Sequence, residues 1–234
     1  MAASVTLVIL ITAVIIVLIM LAAVMGVFQL SLVDYTERDD WDEIIFYAIL
    51  AVLAMVALSF LNLGITEEPI SISLNVTGVF IPTGIVIFLM ITRRLDLAAA
   101  LISIGLVAIV GFPLTQIVDG GAYIFFPFWL IPAGVAAACG FFFTRNMDPE
   151  TVLIRGGAIA FASGCLGMLV GGDLLHLPEM LDSGGTMLIM GAGGILDFIF
   201  LTGVVALSIL WCVQAGVPAL RRFLDSKSES DIAS

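Results

Sequence analysis

Apolar runs long enough to cross a bilayer recur along this chain from near its start to near its end, and no other feature restricts its fold so severely. About 20 consecutive apolar residues make a transmembrane helix, because a helix closes all its backbone hydrogen bonds within the segment. Such runs fall at about 5–30, 44–63, 74–92, 97–112, 122–144, 152–175 and 186–213. A β-barrel does not fit, since its strands alternate apolar and polar residues over about 10 positions. Of the 234 residues, 62% are hydrophobic and only 12% are charged, about half the charged share of a soluble domain. The expected fold is all-α: a polytopic transmembrane helix bundle of about seven spans. It occupies 1–217 as one domain in the cell membrane, with the lipid bilayer as its partner and a polar cytoplasmic tail at 218–234.

Orientation follows from the bases. With the N-terminus outside and seven spans, the inner segments hold Arg38, Arg93, Arg94, Arg145, Arg155, Arg221, Arg222 and Lys227, which is every base in the chain. The outer connections hold Glu67, Glu68, Asp119, Glu179 and Asp182 and no base. Basic residues in short loops fix topology toward the cytoplasm, whereas acids count for little. Six or eight spans would destroy this partition, so N-out and C-in is the predicted topology.

The net charge of −11 comes from 19 acids against 8 bases. It reads as a solvated acidic rim or, more sharply, as a halophile surface on which salt screens the mutual repulsion. Without a basic stripe, nucleic-acid binding is disfavoured. Cys139, Cys165 and Cys212 all lie in apolar runs without metal-knuckle spacing and read as small hydrophobes. There is no HExxH, GxSxG, Walker loop or dinucleotide glycine fingerprint, and no cofactor is expected. The aromatic group Tyr123, Phe125, Phe126, Phe128 and Trp129 reads as an interface marker, with substrate stacking as the alternative.

The candidate site lies between Gly164 and Gly203, where Asp173, Asp197 and the only histidine, His176, stand among apolar residues and glycines. An ionisable group at bilayer depth costs about 2.5–3.5 kcal/mol on insertion scales, which makes it a functional candidate. Asp-x-x-His places Asp173 and His176 on one helical face. Asp197 follows Gly191-Ala192-Gly193-Gly194, a poor helix interior, so the seventh helix is expected to break there. Gly171, Gly172, Gly193, Gly194 and Pro82 are the expected hinge or backbone-exposing positions.

Three readings compete. In the plainest, Asp173 is an interface residue, His176 a wet loop residue and Asp197 the cap of a broken helix. In the second, Asp173 and Asp197 are a catalytic acid pair in an intramembrane hydrolase, one protonated as acid and the other activating water. In the third, Asp173 and Asp197, with oxygen ligands from Asn75 or Thr202, bind a proton or small cation beside the break, as in coupled transport of an ion or solute. A zinc site of Asp173, His176 and Asp197 is a variant with acceptable ligand types but no recognised spacing. Transport is favoured narrowly.

Three blocks carry a family resemblance: ISLNVTGVFIPTGIVIFLM at 72–90, LGMLVGGDLLHL at 166–177 and GAGGILDFIFLTGVVAL at 191–207. In order and content they resemble the signature of a prokaryotic membrane-protein family of unknown function found in archaea and bacteria. The resemblance marks Asn75, Gly78, Pro82, Asp173, Gly193, Gly194, Asp197, Thr202 and Gly203, and it implies no particular activity. This chain departs from it at Gly172, where alanine is expected, and at Phe198, where glycine is expected. A looser likeness is to intramembrane aspartyl proteases of the presenilin and signal-peptide-peptidase type. It rests on GGILDFIF at 193–200 and Pro218-Ala219-Leu220, and it implies Asp173 and Asp197 as the catalytic pair.

Overall fold

A computed structural model describes residues 41–66, 70–118, 121–125, 127–183 and 187–214. The expected first span, Arg38, Glu67, Glu68, Asp119, Phe126 and the tail lie outside these residues. The described chain is mostly helical. Helix α1 spans Trp41–Leu58, and strands β1 (Asn62–Thr66) and β2 (Ser71–Asn75) follow it. A widened, π-helical turn, Val76–Phe80, leads directly into α2 (Ile81–Ile91). Next come α3 (Leu97–Gly111), the short strands β3 (Gln116–Val118) and β4 (Gly121–Tyr123), and α4 (Leu130–Thr144). Helix α5 runs over 149–174 and has π-helical turns at Val152–Gly156 and Leu169–Leu174. The short α6 (Leu177–Asp182), β5 (Met187–Met190) and α7 (Phe198–Gln214) complete the order.

The all-α expectation is corrected at the helix ends. Four stretches placed inside predicted spans are strand: 62–63, 74–75, 122–123 and 187–190. The reason is local. Ser71-Ile72-Ser73-Leu74-Asn75 alternates polar and apolar residues with the period of a strand, and β1 and β5 give it partners on both edges. β1 pairs with β2 antiparallel (Asn62↔Asn75, Leu63↔Leu74), and β2 pairs with β5 parallel (Ser71↔Met187 through Leu74↔Met190).

Two helices, Leu97–Leu114 and Pro149–Asp182, are long and apolar enough to cross a membrane. They differ in what surrounds them: 33% of the apolar window is buried in the first and 72% in the second. Leu101, Ile102 and Ile109 of α3 are exposed, whereas Ala158 through Cys165 of α5 are buried without a gap. Helix α5 is the central post, packed against α2, α3 and α4. Its small residues serve several neighbours rather than one face. Gly156 meets Gly140 of α4, Gly167 and Gly171 lie on α3, and a Cβ at Gly164 would come 2.7 Å from the Gly203 Cα of α7. Phe161 and Phe200 lock α5 to α7 edge-on, with ring centroids 6.3 Å apart.

Capping side chains set the other helix starts. Asp96 accepts the Ala99 N–H at 3.0 Å to open α3. Asp148 takes the Thr151 hydroxyl at 2.7 Å and its backbone N–H at 2.9 Å, with Pro149 at the first helical position. Those two bonds hold the Asp148 carboxyl below the usual range. Strands and arginines separate: β1 to β5 all lie at one end of the helices, where α1, α3 and α5 finish and α2, α4 and α7 begin. Arg93, Arg94, Arg145 and Arg155, the only bases among the described residues, lie at the other.

Candidate functional site

At the strand end two helices open side by side. β2 passes through Asn75 into the π-turn and α2. β5 passes through a turn at Gly191, the 3₁₀ turn Gly194–Leu196 and Asp197 into α7. Because β2 and β5 are parallel neighbours, both helices leave in the same direction. Asn75 (φ −73°, ψ 137°) and Asp197 (φ −66°, ψ 141°) have almost the same extended backbone and do the same work. Asn75 Oδ1 accepts the N–H groups of Thr77 (3.0 Å) and Gly78 (2.9 Å). Asp197 Oδ1 accepts the Ile199 N–H at 2.9 Å, and Oδ2 accepts the Gly193 N–H at 3.1 Å. Each thus caps the helix that follows, and Asp197 also holds the Gly193 amide of the turn before it.

The expected break of the seventh helix is present, and the segment before it is strand, not helix. Gly191 lies at φ +70° and Gly194 at φ +58°, conformations that side chains disfavour. Gly78 rests directly on the Gly191 backbone, where an added Cβ would come within 2.7 Å of the Gly191 Cα. Gly194 packs on Ser59 just past α1 in the same way. The two broken chains therefore meet backbone to backbone, and the end of α1 closes on them through Ser59.

Beside this junction is a cavity of about 450 Å³. Asp173 and Asp197 both line it, with Gly191, Ala192 and Gly193 between them and Tyr123, Trp129 and Phe198 as aromatic walls. Asp173 sits in the second π-turn of α5, where the Leu175 N–H reaches back to the Val170 carbonyl at 2.9 Å. Such widened turns are frequent at functional sites. It is 3% exposed; the Gly191 amide faces its carboxylate, and among the described residues its Oδ2 has no hydrogen-bond partner. Two of the three sequence readings need the two acids near each other, and both line one cavity.

The other expected ligands go elsewhere. Asn75 spends its amide as well: Nδ2 donates to the Ser59 carbonyl at 2.7 Å and to Asn62 Oδ1 at 2.9 Å. It ties α1, β1 and α2 together and has no oxygen left for an ion. Thr202 is fully buried and its hydroxyl has no partner among the described residues, but Leu201, not Thr202, lines the cavity. Pro82 lies where the π-turn gives way to the regular helix of α2. His176 is not a wet loop residue: it is 6% exposed, its Nδ1 is 3.1 Å from the Gly171 carbonyl, and its ring stacks on Phe112 at 4.4 Å. Among the described residues no three His, Cys, Asp or Glu side chains come together to hold a metal, so the zinc variant fails on geometry.

Residues 24–209 match a family described as "protein of unknown function (DUF1614)". The chain belongs to this family. No curated protein and no solved structure matches it significantly. The two departures of this DUF1614 protein from the expected signature explain each other. A Cβ at Gly172 would come 2.6 Å from Cε2 of the Phe198 ring, so the missing methyl on α5 is the space that the ring on α7 occupies. Gly172→Ala and Phe198→Gly should each destabilise the protein alone. Combined, they should cost less than the sum by about 1 kcal/mol or more, read as a double-mutant cycle on thermal melts. Strict additivity would show that the ring and the glycine are independent.

Of the aromatic group, for which substrate stacking was the alternative to an interface role, Tyr123 at the end of the β3–β4 hairpin and Trp129 just before α4 line the cavity.

Proposed function

We propose that this DUF1614 protein is a multi-pass cell-membrane protein of seven spans, N-out and C-in, that carries out proton- or cation-coupled transport. The buried Oδ2 of Asp173, unpartnered among the described residues, in a cavity shared with Asp197 carries this reading. A buried carboxylate oxygen without a donor is costly and calls for a cation or proton to complete it. The surroundings fit transport, since substrate sites in transporters form where helices are interrupted and backbone groups are free. The shorter apolar helices Ile49–Leu58, Val76–Ile91, Leu130–Thr144 and Phe198–Gln214 support further spans. Exposed Leu53, Ile87, Ile91 and Phe142 on α1, α2 and α4 fit lipid contact. The separation of arginines from the strand end supports the orientation, with the cavity on the outer side.

The hydrolase reading has less support. A catalytic pair needs two carboxylates free to exchange protons, and both Asp197 oxygens are engaged by backbone amides. The test is reconstitution into liposomes with imposed gradients of H⁺, Na⁺ or K⁺. The expected result is a flux, absent from protein-free liposomes, that depends on one of these ions. Flux independent of every ion, or none at all, overturns the proposal.

A further inference from the structure

We infer that the cavity between Asp173 and the Tyr123–Trp129–Phe198 wall takes a small protonated amine. The inference rests on the cation-coupled reading and names its substrate class. Size speaks first: about 450 Å³ is far more than a bare ion needs, a water's share of liquid being about 30 Å³, and lies in the range of small-molecule sites.

The polar groups then fix the charge. Among the described residues the lining holds two acids and no base, so an anion would meet uncompensated repulsion. Both oxygens of Asp197 already accept N–H groups from Gly193 and Ile199, whereas Asp173 is 3% exposed and its Oδ2 accepts none. The missing partner is therefore a single donor at one buried carboxylate oxygen. An ammonium N–H supplies it as a charge-assisted hydrogen bond, and a quaternary ammonium, which has no N–H, does not. The remaining wall suits the carbon body of an amine. Met180, Ile189 and Leu201 are apolar, and the aromatic faces of Tyr123, Trp129 and Phe198 attract a cation at close range.

Isothermal titration of the purified protein in lipid nanodiscs tests this, with n-butylammonium chloride as the probe and n-butanol, tetramethylammonium and NaCl as comparisons. Saturable binding of n-butylammonium is expected, with no binding of n-butanol and weaker binding of tetramethylammonium. Asp173→Asn should weaken n-butylammonium by about tenfold or more, the worth of one hydrogen bond to a charged group. Tyr123 is 56% exposed at the rim, so Tyr123→Leu is expected to fold and to weaken binding a few-fold. Equal affinity in the wild type and both variants overturns the inference, as does n-butanol binding as well as the amine. Ion-dependent flux without amine binding overturns the substrate class and leaves the transport reading standing. Absence of both removes the two together.

Discussion

Replacing Asp173 by asparagine will reduce ion-dependent flux to the level of protein-free liposomes and leave the fold intact. The variant keeps the shape of the side chain and removes its charge. The group lost is a buried carboxylate oxygen that has no hydrogen-bond partner among the described residues, and asparagine keeps one oxygen for the Gly191 amide. The melting temperature should move by no more than about 3 °C, the span of a sub-kcal change in a chain of this size. Asp197→Asn should behave in the opposite way. Asp197 holds the Gly193 and Ile199 amides with its two oxygens, and an asparagine has only one oxygen to offer them. Leaving one of these amides without its acceptor costs about 1–3 kcal/mol, so the melting temperature should fall by roughly 2–12 °C. Flux measured on the folded fraction should survive in part. If both variants lost flux equally with unchanged melting, the acids would be acting as a pair, and the division of labour argued for them would be wrong.

Gly78→Ala should be among the most damaging single-methyl additions to this protein. The new Cβ would lie on the Gly191 backbone, 2.7 Å from its Cα and 2.8 Å from its carbonyl carbon. Gly191 cannot yield easily, because it is held at φ +70° between β5 and the 3₁₀ turn. Overpacking against rigid backbone costs about 3 kcal/mol, the upper end for added methylenes. Gly84 of α2 supplies the control, since it is exposed and a Cβ there meets nothing within 4 Å. Gly84→Ala should stabilise by up to about 1 kcal/mol through helix propensity alone. Detergent-solubilised melts of the two variants compare these directly. Similar behaviour would mean that the two broken helices do not touch at Gly78.

Much of this was legible in the sequence, and the part that was not has physical reasons. Long apolar runs announce helices, and a glycine-rich run before a buried acid announces a break, so α3, α5 and the interruption before α7 fall where expected. Strands at the helix ends were hidden because short apolar segments such as Met187–Met190 have no periodicity to tell them from helix. Asn75 looked like an ion ligand because a lone asparagine in an apolar run is conspicuous. Its role as a cap depends on Ser59 and Asn62, which sequence separation conceals. The widened turn at Leu169–Leu174, which places Asp173, leaves no mark in composition. The exchange of bulk between Gly172 and Phe198 is invisible until α5 and α7 are seen in contact.

Substituted-cysteine labelling of intact cells tests the central claim, an acidic cavity at the outer ends of the membrane helices, most directly. Cys212 is free and exposed, so it is first replaced by serine. Ala192→Cys then reports on the cavity rim, and Met147→Cys, at a residue 43% exposed, reports on the arginine end. A membrane-impermeant maleimide added outside should label position 192, and position 147 only after the cells are permeabilised. Labelling of 147 but not 192 from outside would invert the protein in the membrane and contradict the account.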